Sequence, residues 1–425
     1  MKNIYRTTIC LLLLLDILQQ ARAQEEKCGI LYGEYIEAVA AGNIGYAAER
    51  MNTDISSAEI SAAKVFSDFS LSASYYNNSD WNMAMGQGVE LELSKNITFG
   101  VRKARIGLAE KQQELTDALL ADYFRNLRAE SAMLYLEAIK QQELYRMQAD
   151  SYMNIRRLAV SDSLRFEAGE ITMTDAIQSR LEAEILYNEL INAETGLYRA
   201  YAALGVQMGR SAKDTLFCPT EELRPIIRKF SLDSLLSAAY GNRTDLMAAL
   251  RNEDVAEAAL KLVRRERNTD VELSLGTNIN SQVRNEIAPA PAFTGISAGI
   301  AVPLKFSNIN RGEVSAAESR QAQAETYTRQ IMLQIETEVI QAYRRYCTLT
   351  VQVENYGSRM LDDARSVIDG MLYSYGCGEV SLLEVLSAQR TYNDVRSQYI
   401  ETLFNHALSL IELEQSAGIW DIHSL

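Results

Sequence analysis

The sequence contains two copies of one pattern, and this duplication constrains the fold more than any other feature of the chain. The turn Gly-Glu-Ile-Thr at 169–172 and the turn Gly-Glu-Val-Ser at 378–381 are each followed, forty residues after their first glycine, by another glycine. Upstream, Lys-Ala-Arg-Ile at 103–106 lies 208 residues before Arg-Gly-Glu-Val at 311–314. A repeat of this length at a near-constant offset indicates that a whole structural unit is duplicated.

The first residues have the pattern of a cleaved secretory signal. Lys2 and Arg6 precede an apolar run from residue 9 to residue 18, and an Ala-x-Ala cleavage pattern follows at 21–23. We therefore expect residues 1–23 to be removed on export. No other stretch approaches the roughly 18 consecutive apolar residues that a membrane-spanning helix requires.

Charge and composition exclude several classes of function. The chain has 42 basic and 56 acidic residues, a formal net charge of −14. We expect no nucleic-acid partner, because phosphate binding needs a basic surface. The two histidines and five cysteines match no zinc-binding spacing, and no nucleophile–base pair or Gly-rich phosphate loop occurs. The sequence therefore predicts neither an enzyme nor a metal or cofactor site.

Four segments of about ten residues alternate between apolar and polar side chains. The predicted strands cover about 66–76 and 83–94 in the first copy and about 270–280 and 293–304 in the second. Alternation over this length is typical of transmembrane β-strands. A soluble antiparallel sheet with one buried face would show the same pattern. The secretory signal and the acidic polar face favour the membrane interpretation.

The phase of these strands places acidic side chains on the polar face, which would line the inside of a barrel. These acids are Asp68, Glu90, Glu92 and Glu272, and Lys305 is the main opposing charge. In a narrow water-filled channel we expect them to concentrate cations. The alternative is that they only keep the wall hydrated.

Long proline-free segments follow each pair of strands. All five prolines lie between residues 219 and 303, so we predict long helices over about 102–166 and 310–375, with return helices over about 172–207 and 381–416. One return helix carries small and large apolar residues at alternating spacings of three and four, which indicates coiled-coil packing. These residues are Ala183, Leu186, Leu190, Ala193, Leu197, Ala200 and Leu204.

The predicted organisation is a signal at 1–23, a first structural repeat at 24–218, an inter-repeat linker at 219–230 and a second repeat at 231–425. Each repeat begins with short helices, continues with a β-hairpin and ends with a long helical hairpin. The predicted fold class is therefore mainly α with a small β part, built from a duplicated unit.

Four strands per chain imply an oligomer, because every backbone group in lipid must be paired and an open sheet leaves two edges unpaired. Two chains would supply eight strands, whose interior is filled by side chains. Three chains would supply twelve strands and an aqueous lumen. We expect a homotrimer that forms a 12-stranded β-barrel surrounded by outer-membrane lipid and continued by a 12-helix α-barrel.

The repeated order of short helices, β-hairpin and long helical hairpin resembles the TolC family of outer-membrane efflux channels, and this resemblance covers essentially the whole mature chain. Three motifs match most specifically. Val-Pro-Leu-Lys-Phe at 302–306 continues into Asn-Ile-Asn-Arg-Gly-Glu-Val at 308–314. Tyr-x-x-Gly-Glu-x-Ser-x-x-Glu-Val-Leu-x-Ala-Gln at 375–389 looks like the inner-hairpin tip of that family, and Phe-x-x-Gly-x-x-Thr-x-x-Asp at 166–175 looks like its outer-hairpin counterpart.

This resemblance implies the outer-membrane channel of a tripartite efflux system, a passive trimeric export duct of a Gram-negative bacterium. Its helical tube would extend into the periplasm and dock onto a periplasmic membrane-fusion adaptor protein and an inner-membrane pump. Two alternatives stay open: a type I protein-secretion outer-membrane channel, and a periplasmic coiled-coil scaffold protein. Drugs, metal ions and secreted proteins are all compatible with the sequence as transported substrates.

The two glycine turns would form the end of the helical hairpins farthest from the membrane. Apolar residues beside them suit contact with partner hairpins. The predicted docking tips are Leu164, Phe166, Gly169, Glu170 and Ile171 on the outer hairpin, and Gly378, Glu379, Val380 and Ser381 on the inner hairpin.

By the family pattern, the resemblance also implies a closed periplasmic aperture made by Asp175, Tyr375, Glu384 and Ser387. Tyr375 would donate a hydrogen bond to Asp175, and three copies of Glu384 would face one another, which would raise their pKa and attract divalent cations. The family has a basic residue where this chain has Val380, and an acid where it has Ser387. We therefore expect a weaker latch. Alternatively, the two acids are ordinary helix-start residues.

Cys28 begins the first repeat and Cys218 precedes the linker. Because the periplasm is oxidising, a disulfide between them is one interpretation, and two unpaired thiols are the other.

Overall fold

The computed structural model describes residues 27–78, 85–211, 213, 215–267, 270–303 and 310–420. The predicted signal and Lys305 lie outside these residues. Eight α-helices occur in the described residues: α1 Tyr32–Gly42, α2 Ile44–Ala63, α3 Val101–Glu167, α4 Met173–Gln207, α5 Leu232–Asn242, α6 Thr244–Glu266, α7 Arg311–Gly376 and α8 Leu382–Ala417. The strands in the same residues are β1 Lys27–Ile30, β2 Phe69–Asn77, β3 Gln87–Ile97, β4 Leu216–Pro219, β5 Val271–Asn280 and β6 Phe293–Ala301. The prediction of a mainly helical fold with a small β part is confirmed.

The two proline-free segments each form one uninterrupted helix, of 67 residues in α3 and 66 residues in α7. Along much of α7 the buried positions recur at spacings of seven or four residues, so they form one stripe along the helix. The buried residues that show this spacing are Ala317, Ala324, Thr328, Ile335, Val339, Tyr346 and Val353. Most of the remaining surface of α7 is exposed in a single chain, so only a narrow stripe of this helix packs within it.

The return helices begin at residues that cap their own first turn. Thr172 precedes α4, and its Oγ1 accepts a hydrogen bond from the Asp175 backbone N–H at 3.2 Å. Ser381 precedes α8 in a capping box, where Glu384 Oε2 accepts from the Ser381 backbone N–H at 2.7 Å. Such caps satisfy backbone donors that the helix itself leaves unpaired. Within α4, every residue of the predicted three-four seam is buried or half-buried.

Strands β2, β3, β5 and β6 form one antiparallel sheet in the order β2-β3-β5-β6. One transverse row runs through Leu71, Leu93, Leu275 and Ala298. Leu71 is 73% exposed and Leu275 is 59% exposed, although both lie in a regular sheet. The apolar face of this sheet is therefore uncovered in one chain. In the first repeat β2 begins three residues, and β3 four residues, after the predicted starts.

The chain divides into two compact units, and each contains corresponding parts of both repeats. The sheet unit consists of Arg50–Ala121 and Thr244–Met332, and it holds the four-stranded sheet. The tip unit consists of Met1–Glu49, Asp122–Arg243 and Leu333–Leu425, and it holds both glycine turns.

Within the tip unit, the segment between the repeats is attached at both ends. Strand β4 pairs in parallel with β1 at the start of the first repeat, and the Tyr135 hydroxyl donates to the Ile30 carbonyl at 2.9 Å. Farther along, the Arg228 backbone N–H donates to the Tyr346 hydroxyl at 2.7 Å. The Arg228 guanidinium also pairs with the buried Glu414 at 2.7 Å. One end of the segment is therefore fixed to the first repeat and the other end to the second.

Candidate functional site

The two helical hairpins reverse direction at glycines with left-handed backbone conformations. Gly169 has φ +78° and Gly378 has φ +79°, and each turn closes with a backbone hydrogen bond into the preceding helix, to Phe166 and to Tyr375 respectively. A Cβ added at either glycine would meet no heavy atom within 4 Å. Glycine is required at these turns for its backbone conformation and not for space.

Behind the turns, the outer and inner hairpins share an apolar cluster in the tip unit. The outer hairpin contributes Ile155, Ala159, Ala183 and Leu186. The inner hairpin contributes Ile368, Tyr375, Leu382, Val385, Leu386 and Ala388. Val380, one of the predicted docking residues, is partly buried against this cluster. Leu164 and Phe166 are exposed, and the same region also exposes Met173, Tyr373 and Leu383.

Tyr375 connects the two hairpins, but its partner is not the one that the family pattern predicts. Its hydroxyl donates a 3.0 Å hydrogen bond to Asp162 Oδ1 on α3, and both side chains are buried. The predicted partner, Asp175, instead accepts from the Thr172 hydroxyl at 2.7 Å at the start of α4. The prediction of a Tyr375–Asp175 bond is therefore wrong for the isolated chain. A local capping bond three residues away holds Asp175.

Burial, and then the hydrogen bond to Asp162, raise the pKa of the Tyr375 phenol well above its ordinary value. Tyr375 therefore stays a hydrogen-bond donor at any physiological pH. Within the described residues, Asp162 Oδ2 has no hydrogen-bond partner. Loss of the only donor to a buried carboxylate would leave the carboxylate unsatisfied, which costs free energy of folding.

Arg165 supplies the positive charge that the family pattern places at Val380. Its guanidinium lies 5.1 Å from the Tyr375 ring centroid and donates to the Tyr375 carbonyl at 3.4 Å. It also pairs with Glu170 at 3.3 Å. The cation that joins the hairpins thus comes from the outer hairpin and not from the inner one.

Asp162 and Arg165 are not among the residues predicted from the sequence, although the sequence contains one signal for Asp162. Ile155, Ala159 and Asp162 follow one another at spacings of four and three on α3, and all three are buried. A carboxylate on the apolar stripe of a helix needs a buried partner. For Arg165, which lies near the end of a helix, the sequence contains no comparable signal of a contact between the hairpins.

Glu384 serves its own helix in the isolated chain. The backbone N–H of Ser381, together with the Ser381 hydroxyl, holds the pKa of the Glu384 carboxyl below its ordinary value. The pKa shift expected for three crowded copies of this carboxylate has the opposite direction. Ser387 is exposed one turn farther along α8.

In the sheet unit, the register places Glu90, Glu92 and Glu272 on the same face of the sheet. Glu92 pairs with Ser72 on one side and Gly276 on the other, and Glu272 pairs with Asn96. Because alternate residues of a strand share a face, these three acids lie opposite the exposed leucines. Asp68 precedes β2 by one residue, so its assignment to a strand is corrected.

Cys28 and Cys218 are not joined in the structure. Cys28 pairs with Phe217 and Cys218 pairs with Gly29 across β1 and β4. Successive side chains of a strand point to opposite faces, so the two thiols lie on opposite faces of this small sheet. A disulfide needs Cβ atoms that approach each other. The disulfide interpretation is therefore wrong for this conformation.

Within the described residues, no group of three or more His, Cys, Asp or Glu side chains could hold a metal ion. None of the helices in the described part of the chain has the length and hydrophobicity of a membrane-spanning segment.

Comparison with known proteins shows which proteins this chain resembles. Residues 235–419 match the model of the family described as outer membrane efflux protein. The chain is 25% identical over 307 residues to the cobalt-zinc-cadmium resistance protein CzcC of Cupriavidus metallidurans, covering 72% of this chain and 70% of that protein. It is 20% identical over 314 residues to the outer membrane protein TolC of Vibrio cholerae, covering 73% and 72%. The second half of the chain thus matches this family, and the chain as a whole is similar to outer membrane efflux channels.

The fold agrees with this assignment. The crystal structure of CusC, described as forming a transmembrane channel, aligns with a TM-score of 0.74 at 18% identity and covers 92% of each chain. The expected resemblance to outer-membrane efflux channels is thus confirmed, and the proteins that the chain resembles are channels and not enzymes. The protein resides in the outer membrane of a Gram-negative bacterium, with its helical part in the periplasm.

The first prediction concerns the contact between the hairpins. Tyr375→Phe removes the only hydrogen bond seen at the Asp162 carboxylate among the described residues, so we expect the free energy of hairpin opening to fall by about 1–3 kcal/mol. Hydrogen exchange of the α7 amides near Tyr375 measures this opening. In a double-mutant cycle, Tyr375→Phe should couple to Asp162→Ala by about 1 kcal/mol and not to Asp175→Ala. Stronger coupling to Asp175 would contradict the observed pairing.

Proposed function

We propose that three copies of this chain form an export duct through the outer membrane, with their sheets closing into one twelve-stranded barrel. The observation that carries the proposal is the four-stranded sheet, which has an exposed apolar face and an acidic opposite face. Its outer strands, β2 and β6, each pair with only one strand within the described residues. In lipid such edges must be paired, and pairing β6 of one copy with β2 of the next supplies every missing bond.

The number of copies follows from the acidic face. Eight strands from two chains would leave an interior that side chains fill, and Glu90, Glu92 and Glu272 would then be buried without partners. Twelve strands leave a lumen in which these carboxylates stay hydrated. A periplasmic scaffold is disfavoured, because it gives the exposed leucines of the sheet no apolar environment.

The helical hairpins support docking of the duct onto a periplasmic adaptor and, through it, an inner-membrane pump. Leu164 is 62% exposed and Leu383 is 68% exposed beside the two glycine turns. Apolar side chains exposed at the end of a hairpin suit contact with another hairpin. Because no nucleotide-binding motif occurs in the sequence, the energy for export would come from the pump.

The contact from Tyr375 to Asp162 supports a closed resting state at this end. It attaches the inner hairpin to the outer hairpin of the same chain through a buried hydrogen bond, and Arg165 adds a second attachment. Release of the inner hairpin would require both contacts to break. In a trimer, Glu384 and Ser387 of three chains would then surround the aperture.

Cysteine crosslinking tests the barrel. The native cysteines are first replaced by serine. Each test variant then carries Ser72→Cys on β2 and one further cysteine, whose position is moved along β6. We expect a ladder of covalent dimers and trimers on non-reducing gels of outer membranes. Glu92→Cys on β3 is the matched control, because β3 already has a neighbour on both sides and should not crosslink to another copy. A scan that yields only monomers would exclude this closure.

Ion selectivity tests the lumen. In planar bilayers under a salt gradient, the reversal potential should have the sign of a cation-selective channel, because carboxylates in a narrow pore attract cations. Replacing Glu90, Glu92 and Glu272 by glutamine should move the reversal potential toward zero. Replacing Glu37, Glu59 and Glu253, which lie on helices, changes the net charge equally and should leave it unchanged. Anion selectivity of the wild type would exclude a cation-attracting lumen.

Docking is tested with substitutions that spare the turn backbone. Leu164→Asn with Leu383→Asn should lower adaptor binding at least about tenfold, as expected when buried apolar side chains of an interface are lost. The trimer in the membrane should be unaffected. Surface binding of detergent-solubilised trimer to immobilised adaptor measures the change. Val206→Asn, which alters an equally exposed apolar residue far from the turns along α4, is the control. Equal loss in both variants would contradict docking at the tips.

A further inference from the structure

Basic residues concentrate where the strands of the sheet unit meet its helices, although the chain as a whole carries −14 charges. The stretch 95–105 contains four basic residues and no acidic one, and the stretch 261–267 contains four basic residues and one acidic one. We use the name basic collar for six of these residues: Lys95, Arg102, Lys103, Arg105, Arg265 and Arg267.

Within the part of the chain that the structure describes, none of the six members of the collar forms an ion pair with a carboxylate, although Arg102 donates to the Lys64 carbonyl. Neighbouring cations do form such pairs, since Lys261 pairs with Glu257 at 2.6 Å and Arg264 pairs with Glu318 at 2.9 Å. Among the described residues, the charge of the collar is therefore available to an anion from outside the chain.

Lys95 places one edge of the collar on the apolar face of the sheet. It pairs with Phe69 on β2 and with Leu273 on β5, so its side chain starts on the face that carries the exposed leucines. Its Nζ lies 4.2 Å from the Phe69 ring centroid. A lysine at the end of a lipid-facing row extends its ammonium group to the level of the lipid headgroups.

Aromatic side chains accompany these cations. The Arg102 guanidinium lies 4.0 Å from the ring centroid of Phe66, and both Phe66 and Phe69 are exposed. Exposed aromatic rings at the end of a transmembrane strand are typical of the membrane–water interface. The collar therefore lies at the height where phosphate groups of lipids are found.

The start of α3 shows a second sign of an external anion. Its first turn contains no acidic residue, and Arg102, Lys103 and Arg105 lie in its first five residues. The N-terminus of a helix carries partial positive charge, so cations there are repelled and acids are favoured. An anionic group bound from outside would relieve this repulsion.

A groove beside the start of α3 has room for such a group. Its volume is about 620 Å³, and its basic lining residues are Lys103 and Lys111 on α3 and Lys261 and Arg265 on α6. Its small lining residues are Gly100, Ala104, Gly107 and Ala258. The groove also has three acidic residues, Glu110, Asp254 and Glu257. Of these, Asp254 and Glu257 are held in ion pairs with Arg251 and Lys261.

We propose that the basic collar binds the phosphate groups of anionic phospholipids in the periplasmic leaflet of the outer membrane. The proposal rests on the proposed function, which places the sheet in the membrane. A lipid fits better than a soluble anion, because the apolar face of the sheet runs directly into the collar at Lys95. Anionic headgroups create the negative surface potential that attracts such clusters.

Spin-labelled lipids test this binding. The full-length trimer is reconstituted in phosphatidylcholine nanodiscs with a small fraction of spin-labelled phosphatidylglycerol or phosphatidylcholine. The motionally restricted component then gives the association of each lipid with the protein. We expect phosphatidylglycerol to associate at least about threefold more strongly, and 0.5 M NaCl to remove most of this preference. The variant Lys95→Gln/Lys103→Gln/Arg265→Gln should bring the ratio close to one.

A matched control removes the same amount of charge elsewhere. Arg251→Gln/Arg264→Gln/Arg345→Gln replaces three cations that are paired with carboxylates, and it should keep the preference. Equal loss in this control would overturn the role of the collar. If the collar variant does not assemble, the salt dependence of the wild type tests the proposal. A preference of the wild type for phosphatidylglycerol that persists in 0.5 M NaCl would contradict charge-based binding.

The experiment also separates this inference from the proposed function. A restricted component of equal size for both lipids would show that the sheet contacts lipid and would overturn only the binding of anionic headgroups. The absence of a restricted component for either lipid would overturn the membrane barrel, and the lipid site with it.

Discussion

The structure depends on one constraint, the pairing of backbone hydrogen-bonding groups in a solvent that cannot pair them. The sheet of one chain pairs its inner strands, β3 and β5, on both sides, whereas β2 and β6 each pair with one strand among the residues that the structure describes. In water such edges are hydrated, but in lipid each unpaired group costs several kcal/mol. The exposed leucines argue against a sheet that is surrounded by water on both faces. Under the proposed function, association of copies would thus be a condition of the fold in the membrane.

In the tip unit, stability is organised differently. Each helical hairpin completes its own turn through a left-handed glycine and a side-chain cap, at Thr172 on one hairpin and at Ser381 on the other. The two hairpins are held together by an apolar cluster, by the buried bond from Tyr375 to Asp162 and by the contact of Arg165 with the Tyr375 carbonyl. Among the described residues, the hydrogen bonds between the hairpins all involve a side chain. Separation of the hairpins would therefore leave the backbone hydrogen bonds within each of them intact.

The elements with strong periodicity could be predicted from the sequence, because local physics fixes them. The alternation of apolar and polar residues predicted which residues of β3 and β5 share a face, and the absence of proline predicted the long helices. Boundaries were less accurate in the first repeat, where β3 begins at Gln87 and not near residue 83. Strand ends depend on the neighbouring strand, which the local sequence does not contain.

Contacts between distant segments could not be predicted from the sequence in the same way. Tyr375 meets Asp162 and not Asp175, because α3 and α4 both lie near it and the relative rotation of long helices decides which carboxylate it reaches. Each residue along a helix turns the side chain by about 100°. Similarly, the parallel register of β1 and β4 separates Cys28 from Cys218, and a shift of one residue would have placed them on the same face.

The attachment of the segment between the repeats has a consequence for the origin of the chain. Strand β4 is fixed to the first repeat by β1, and Arg228 is fixed to the second repeat by Tyr346 and Glu414. A chain break between Arg224 and Pro225 would leave both sets of contacts in place. The two halves would stay joined through the pairing of β3 with β5 and through the apolar cluster that the hairpins share. Two separate polypeptides, encoded by two genes, could therefore assemble the same wall from six half-length subunits.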